Sequence, residues 1–307
     1  MTEVITEEIA EVITEQQNEN SLNIDKADSL EIISIINEED KTVANAVETK
    51  LPEIAKAVDV IADRMQNGGR LVYCGAGTSG RQGVLDACEC YPTFGVDETN
   101  VIAVIAGGPG AMVKTQEGAE DDIRSAVRDL INIDFCNRDV LIAIAACGNT
   151  PYVIAAAEYA KKTGAAVIAL TCAGLTKLSE IVDIDISPVT GPEVVTGSTR
   201  MKSGTAQKMV LNMISTAVMI KLGKVYKNFM VDLRITNQKL AKRAIRIITK
   251  TTGVSEEEAS LALENCNNSI KHSIVSILCK VDMNEADRLL KDNGGNVGRV
   301  VERVNGR

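Results

Sequence analysis

Residues 191–208, GPEVVTGSTRMKSGTAQK, gather glycines, hydroxyls, cations and one carboxylate just ahead of a long apolar segment. That mixture suits anion binding. Ser198 and Thr199 are placed to cap a helix starting near Ser203, whose first-turn amides carry positive partial charge, and Arg200 and Lys202 add formal charge beside them. The same residues also read as an ordinary capped helix start. A second turn, GAGTSG at 75–80, has glycines for a tight bend, with Thr78 and Ser79 at the cap of the next helix. It lacks the three-glycine spacing of a dinucleotide fingerprint and the lysine of a P-loop, which argues against NAD and ATP. A third, ACGNTP at 146–151, puts Pro151 in the first turn of another helix.

These turns need strands before them and helices behind them, and the apolar pattern supplies both. Short apolar runs at 70–74, 100–106, 139–145, 165–171 and near 183–187 predict five strands. Helical spacing of Val43, Val47, Ile54, Val58 and Ile61 predicts a helix over 41–66, stopped by Gly68-Gly69. Further helices are expected over about 115–132, 151–162 and 203–222, the last apolar on nearly every side and so destined for the core or a subunit interface. Uninterrupted apolar strands alternating with helices indicate a parallel sheet covered on both faces, with ligands bound at the strands' carboxyl ends. A helix over 236–251 carries Lys239, Lys242, Arg243 and Arg246 on what reads as a solvated face. Beyond it, segments 255–265, 268–279, 284–291 and 296–304, broken by DNGGN, predict a small helical appendage. His272, the only histidine, lies there and reads as surface or structural. The chain therefore divides into an arm and helix at 1–40, a main domain at 41–250 and a helical domain at 251–307.

Composition narrows the class. With 307 residues, 45% of them hydrophobic, and a mean hydropathy near zero, the chain suits a soluble globular protein. No apolar run is long enough to span a bilayer, and the acidic start MTEVITEEIAEVITEQQ is unlike a secretory or organellar signal, so a cytoplasmic location is expected. Eight scattered cysteines, with one residue between Cys88 and Cys90 where redox and zinc motifs have two, read as reduced thiols. A net charge of −9 with no basic stripe excludes nucleic-acid binding as a default.

The series GAGTSGRQGVLDACECYPTFG (75–95), IAGG (105–108), EGAEDD (117–122), GNTPYVIAAAEYA (148–160), GPEVVTGSTRMKSGTAQKMVLN (191–212) and YKNFMVDLRITNQKL (226–240) closely resembles the N-acetylmuramic acid 6-phosphate etherases of the sugar isomerase (SIS) fold superfamily. The resemblance implies a flavodoxin-like parallel sheet, a homodimer, no metal or organic cofactor, and a role in cell-wall sugar catabolism and peptidoglycan recycling. The implied reaction cleaves the lactyl ether of the sugar phosphate with water to N-acetylglucosamine 6-phosphate and D-lactate. Such an ether lies β to the carbonyl of the ring-opened sugar, so removal of the C2 proton makes elimination possible, and one acid/base pair can then add water. By resemblance Glu89, in DACECYP, and Glu120, in EGAEDD, occupy the catalytic positions, while each alone reads as a solvated helix carboxylate. Gly148, Asn149 and Thr150 map to the phosphate turn, and Thr78 and Ser79 to the sugar. Glu193, Ser198 and Thr199 are expected at sugar hydroxyls or the lactyl group, with Arg200 and Lys239 as anion contacts. Cys147 departs from the serine usual at its position, and a thiol is the poorer donor. A phosphosugar-sensing regulatory protein and an aldose-ketose isomerase are the alternatives on this fold.

Overall fold

The computed structural model of the chain describes residues 13–306; the first twelve residues of the acidic, helix-prone amino terminus lie outside them. Two compact units emerge. One takes the chain up to Ala87 and again over Thr99–Ser215, and the other takes Cys88–Glu98 and the chain from Thr216 on.

In the first unit, short turns at Ile13–Glu15, Glu19–Ser21 and Ile24–Lys26 lead into helix α1, Ser29–Glu48, and helix α2, Leu51–Gln66. The single helix expected over 41–66 is thus two. Asp28 and Glu31 form a reciprocal capping box that starts α1 well upstream, and Pro52 suits the first turn of a new helix after Lys50. Val43, Val47, Ile54, Val58 and Ile61 are all buried, as their spacing required.

The strands are β1 (Leu71–Gly75), β2 (Val101–Ile105), β3 (Val140–Ile144), β4 (Ala166–Leu170) and β5 (Ile184–Ile186). They pair in parallel in the order β2-β1-β3-β4-β5, with Leu71 opposite Val101 on one side and Val140 on the other. Every residue of β1, β3 and β4 is buried, which is why these strands read as unbroken apolar runs. Helices α3 (Gly77–Phe94), α4 (Ile123–Asn132), α5 (Pro151–Thr163) and α6 (Lys202–Lys221) follow the strands. Val72 and Cys74 face a core shared with Leu130 of α4 and Tyr152 and Val153 of α5. The helix expected from 115 begins only at Ile123, because Gly118 turns the chain at φ 72° and the Asp122 side chain caps the Arg124 and Ser125 amides.

The second unit is helical. Its helices α7 (Gln238–Thr252), α8 (Glu256–Asn265), α9 (Ile270–Cys279), α10 (Met283–Asp292) and α11 (Val297–Asn305) bury Ile247, Ile248, Leu263, Ile274, Leu290 and Val300 together. All four tail segments expected from the sequence are present. His272 hydrogen-bonds Ser269 at 2.7 Å and lies 3.5 Å from Asp287, a structural setting.

Candidate active site

The strand order reverses at β1, which pairs with β2 on one side and β3 on the other, so the turns leaving β1 and β3 diverge and open a crevice at the carboxyl edge of the sheet. The β1 turn is held by close backbone approach. A side chain on Gly80 would lie 2.7 Å from the Gly75 carbonyl oxygen, so α3 packs directly on the strand end. Helix α3 begins at Gly77, which puts Thr78 and Ser79 inside its first turn instead of ahead of it. Thr78 is half-buried, and its methyl carbon lies 3.4 Å from where a β-carbon on Gly204 would stand. The first turn of α3 and the start of α6 therefore meet.

The β3 turn depends on Gly148. Its φ is +69°, and a β-carbon there would fall 2.3 Å from Thr176 Oγ1, so no other residue fits unchanged. Asn149 is exposed, Thr150 and Cys147 are half-buried, and Thr150 sits at the N-cap of α5 without its side chain bonding the helix. A hydroxyl residue, an amide residue and a helix start therefore adjoin at this turn, the elements of an oxyanion-binding turn.

The β5–α6 loop is built differently from the sequence expectation. Glu193, wholly buried, caps α6: its carboxylate accepts from the Lys202 amide at 2.9 Å and from the Ser203 amide and hydroxyl at 3.0 and 2.9 Å. Ser198 and Thr199 are not the caps. They turn the chain ahead of the helix, Ser198 donating its amide to the Val195 carbonyl at 2.9 Å and Thr199 accepting the Gly204 amide at 3.0 Å. Lys202 does not add charge to the anion site either. It is 2% exposed and its ammonium is neutralised by Glu39 at 2.6 Å, while Arg200 stays exposed. Burial works against the Glu39 carboxylate, but hydrogen bonds from Lys202 and Asn20 outweigh it and hold the group below the usual carboxylate range.

Glu120 is exposed in the short turn Ala119–Asp121 of the first unit. Glu89 is exposed on α3 within the second unit. Lys239 is exposed in the first turn of α7, also in the second unit. Thr78, Ser79, Gly148, Asn149, Thr150, Glu193, Ser198, Thr199, Arg200 and Glu120 thus belong to the first unit, and Glu89 and Lys239 to the second.

Sequence reading missed two polar networks. One is Lys202, Glu39 and the arm residues around Asn20. The other centres on Asp86 of α3, which accepts from Tyr73 at 2.7 Å and Ser215 at 3.1 Å; Asn212, with its amide turned to suit both neighbours, donates to Asp86 at 3.2 Å and accepts from Lys208 at 2.6 Å. Burial pushes the Asp86 carboxyl up although these bonds oppose it. The available signal was a carboxylate one turn before Cys90 on an otherwise apolar stretch. Burial likewise pushes the Cys172 thiol up to about 12, and all eight cysteines are free.

Three family descriptions match the chain: the N-terminal SIS domain of glucokinase regulatory protein over residues 53–161, the SIS domain over 122–217, and the C-terminal lid domain of glucokinase regulatory protein over 227–267. The N-acetylmuramic acid 6-phosphate etherase of Clostridium beijerinckii is 53% identical, covering 95% of this chain and 96% of that protein. The etherase of the same name from Clostridium botulinum strain Loch Maree is 51% identical over 95% of this chain and 97% of its own. Among solved structures, a phosphoheptose isomerase from Francisella tularensis aligns with a TM-score of 0.49 at 18% identity, over 62% of this chain and 98% of that one.

Proposed function

The chain belongs to the N-acetylmuramic acid 6-phosphate etherases, and from that premise we propose that it splits the lactyl ether of its sugar phosphate by eliminating lactate and then adding water, with Glu89 and Glu120 as the acid/base pair. The observation that carries the reading is the 53% identity maintained over 95% of the chain. The crevice between the β1 and β3 turns supports it. In this reading the Gly148–Thr150 turn takes the phosphate, Thr78 and Ser79 take the sugar, and Ser198, Thr199 and Arg200 close on the lactyl side. Glu193 acts through the backbone it caps. Lys239 serves as an outer anion contact, and the protein works as a cytoplasmic homodimer in the catabolism of cell-wall sugar, with no cofactor required by the chemistry.

Glu120 takes the C2 proton of the ring-opened sugar. Glu89 protonates the departing ether oxygen and then helps water add to the double bond at C3. In heavy-oxygen, deuterated water the sugar product should gain solvent oxygen at C3 and deuterium at C2, and Glu120→Gln should abolish C2 exchange. Glu89→Gln should keep exchange and lose lactate release, since proton removal is reversible when the leaving group cannot be protonated. Direct displacement at the lactyl carbon, leaving the C3 oxygen unlabelled, would rule the mechanism out, and unchanged lactate release in both variants would remove the two glutamates from it. A regulatory protein would release no D-lactate from N-acetylmuramic acid 6-phosphate at all.

A further inference from the structure

The β5–α6 loop is fastened at both feet by the amino-terminal arm and by buried charge. At the upstream foot, Asn18 Nδ2 donates to the Pro192 carbonyl at 3.1 Å and Ser21 Oγ donates to the Val194 carbonyl at 2.8 Å, so the arm holds the peptide groups on either side of Glu193. At the downstream foot, Lys202 Nζ meets Glu39 Oε2 at 2.6 Å, and Asn20 Nδ2 donates to the other oxygen of Glu39 at 2.7 Å. Glu193 ties the feet to each other through the Lys202 and Ser203 amides. Between them run residues 195–201, with Gly197, Ser198 and Thr199 half-buried and Arg200 exposed. One polar segment of the arm, Asn18–Ser21, therefore holds the upstream end of the loop directly and the downstream end through Glu39.

A buried ion pair is a poor source of net stability, because desolvation of two charges cancels most of their attraction and an apolar pair of similar size often does as well. What it supplies is direction. Lys202 and Glu39 are 2% and 8% exposed, and the remaining Glu39 oxygen is committed to the arm, so the start of α6 has one register against α1 and the arm. Displacing Lys202 would leave a carboxylate stranded in the interior, a penalty that a slipped loop cannot avoid.

We propose that Asn18, Asn20, Ser21, Glu39 and Lys202 form a clamp that positions Ser198–Arg200 for the phosphosugar. These are positioning residues, acting through the loop backbone. The inference rests on the reading of Ser198, Thr199 and Arg200 as substrate contacts.

Two readouts separate the clamp from that reading: amide hydrogen exchange over residues 191–201, and the steady-state release of D-lactate from N-acetylmuramic acid 6-phosphate by the full chain. Asn20→Ala, a mild change at an exposed position, and Glu39→Gln should each speed exchange in the loop roughly tenfold, the scale of one lost hydrogen bond, with the β1 and β3 amides unaffected. Both should raise KM by roughly tenfold while kcat stays within about threefold, because the loss is in binding geometry and not in the reacting groups. A general loss of packing would instead speed exchange in the sheet and lower the melting temperature together. Unchanged loop exchange in both variants overturns the clamp. Faster loop exchange with KM unchanged overturns the loop's contact with substrate, and with it the positioning role.

Discussion

At the scale of single residues, the turn after β3, proposed above to take the phosphate, makes the sharpest demands. Cys147 is half-buried beside Gly148 and close to serine in size, so Cys147→Ser should leave the fold intact and keep or tighten phosphosugar binding, by about 1 kcal/mol or less for the better donor. Titration calorimetry with substrate or product checks this, and a large loss of affinity in a folded variant would assign the thiol a role of its own. Gly148→Ala should do the opposite. The left-handed φ of +69° alone costs on the order of 1–3 kcal/mol for a side chain, and the contact with Thr176 forces the turn to move. Denaturant melts and KM should both worsen. Such glycines are legible in sequence because their chemistry is local. Side-chain direction is not: Lys202 looked like an anion contact beside Arg200, but whether an ammonium points to the crevice or to Glu39 depends on a partner 163 positions away. The capping role of Glu193 was hidden for the same reason, since its oxygens take amides nine and ten residues further along the chain.

At the scale of elements, the strands were visible within a residue or so because burial on both faces leaves no room for polar interruption, whereas the α1–α2 break was hidden by an apolar period that continues across it. A second tie hidden in the sequence joins strand starts. Arg70 and Asp139 precede β1 and β3, and Asp139, 1% exposed, accepts from Arg70 Nη2 at 2.7 Å, from the Arg70 amide at 3.0 Å and from the Cys136 amide at 3.0 Å. Burial opposes the charge on Asp139, but the Arg70 and Cys136 bonds outweigh it and hold the carboxyl below its ordinary 3.8. A depressed folded-state value means that the stabilisation is present above 3.8 and is lost as pH falls through the lower folded value. Asp139→Asn should therefore cost about 2 kcal/mol at neutral pH through the lost charge-assisted bonds, the guanidinium keeping the Ile133 and Asp134 carbonyls at 2.8 and 2.9 Å, and its stability should fall less steeply in acid than the wild type's. Parallel acid slopes for the two proteins would show that Asp139 titrates as it does in the unfolded chain.

At the scale of the whole molecule, the apolar surface argues for a second copy. The segment that became α6 was expected in the core or at a subunit interface, and Val210, Leu211, Ile214, Val218 and Met219 are buried within the chain itself while Met213 and Ile220 stay exposed. Large apolar groups stay exposed elsewhere: Leu30 at 70% and Ile33 at 59% on the same side of α1, with Leu22 at 52% in the arm just before it. Residues three apart on a helix lie side by side, so Leu30 and Ile33 make a patch and not two isolated contacts, and exposed patches of this kind mark association sites. A dimer closing on them would also cover the arm that fastens the β5–α6 loop, coupling assembly to substrate binding. Sedimentation at assay concentration should give twice the 32.8 kDa of the chain. Leu30→Glu with Ile33→Glu should shift the protein to monomer while leaving its far-ultraviolet circular dichroism unchanged, since neither side chain contributes to the core, and KM should rise as the arm loses its cover. A wild-type protein that sediments as a monomer with full activity would show that the patch has another purpose, and a double variant that remains dimeric would place the interface on a different face.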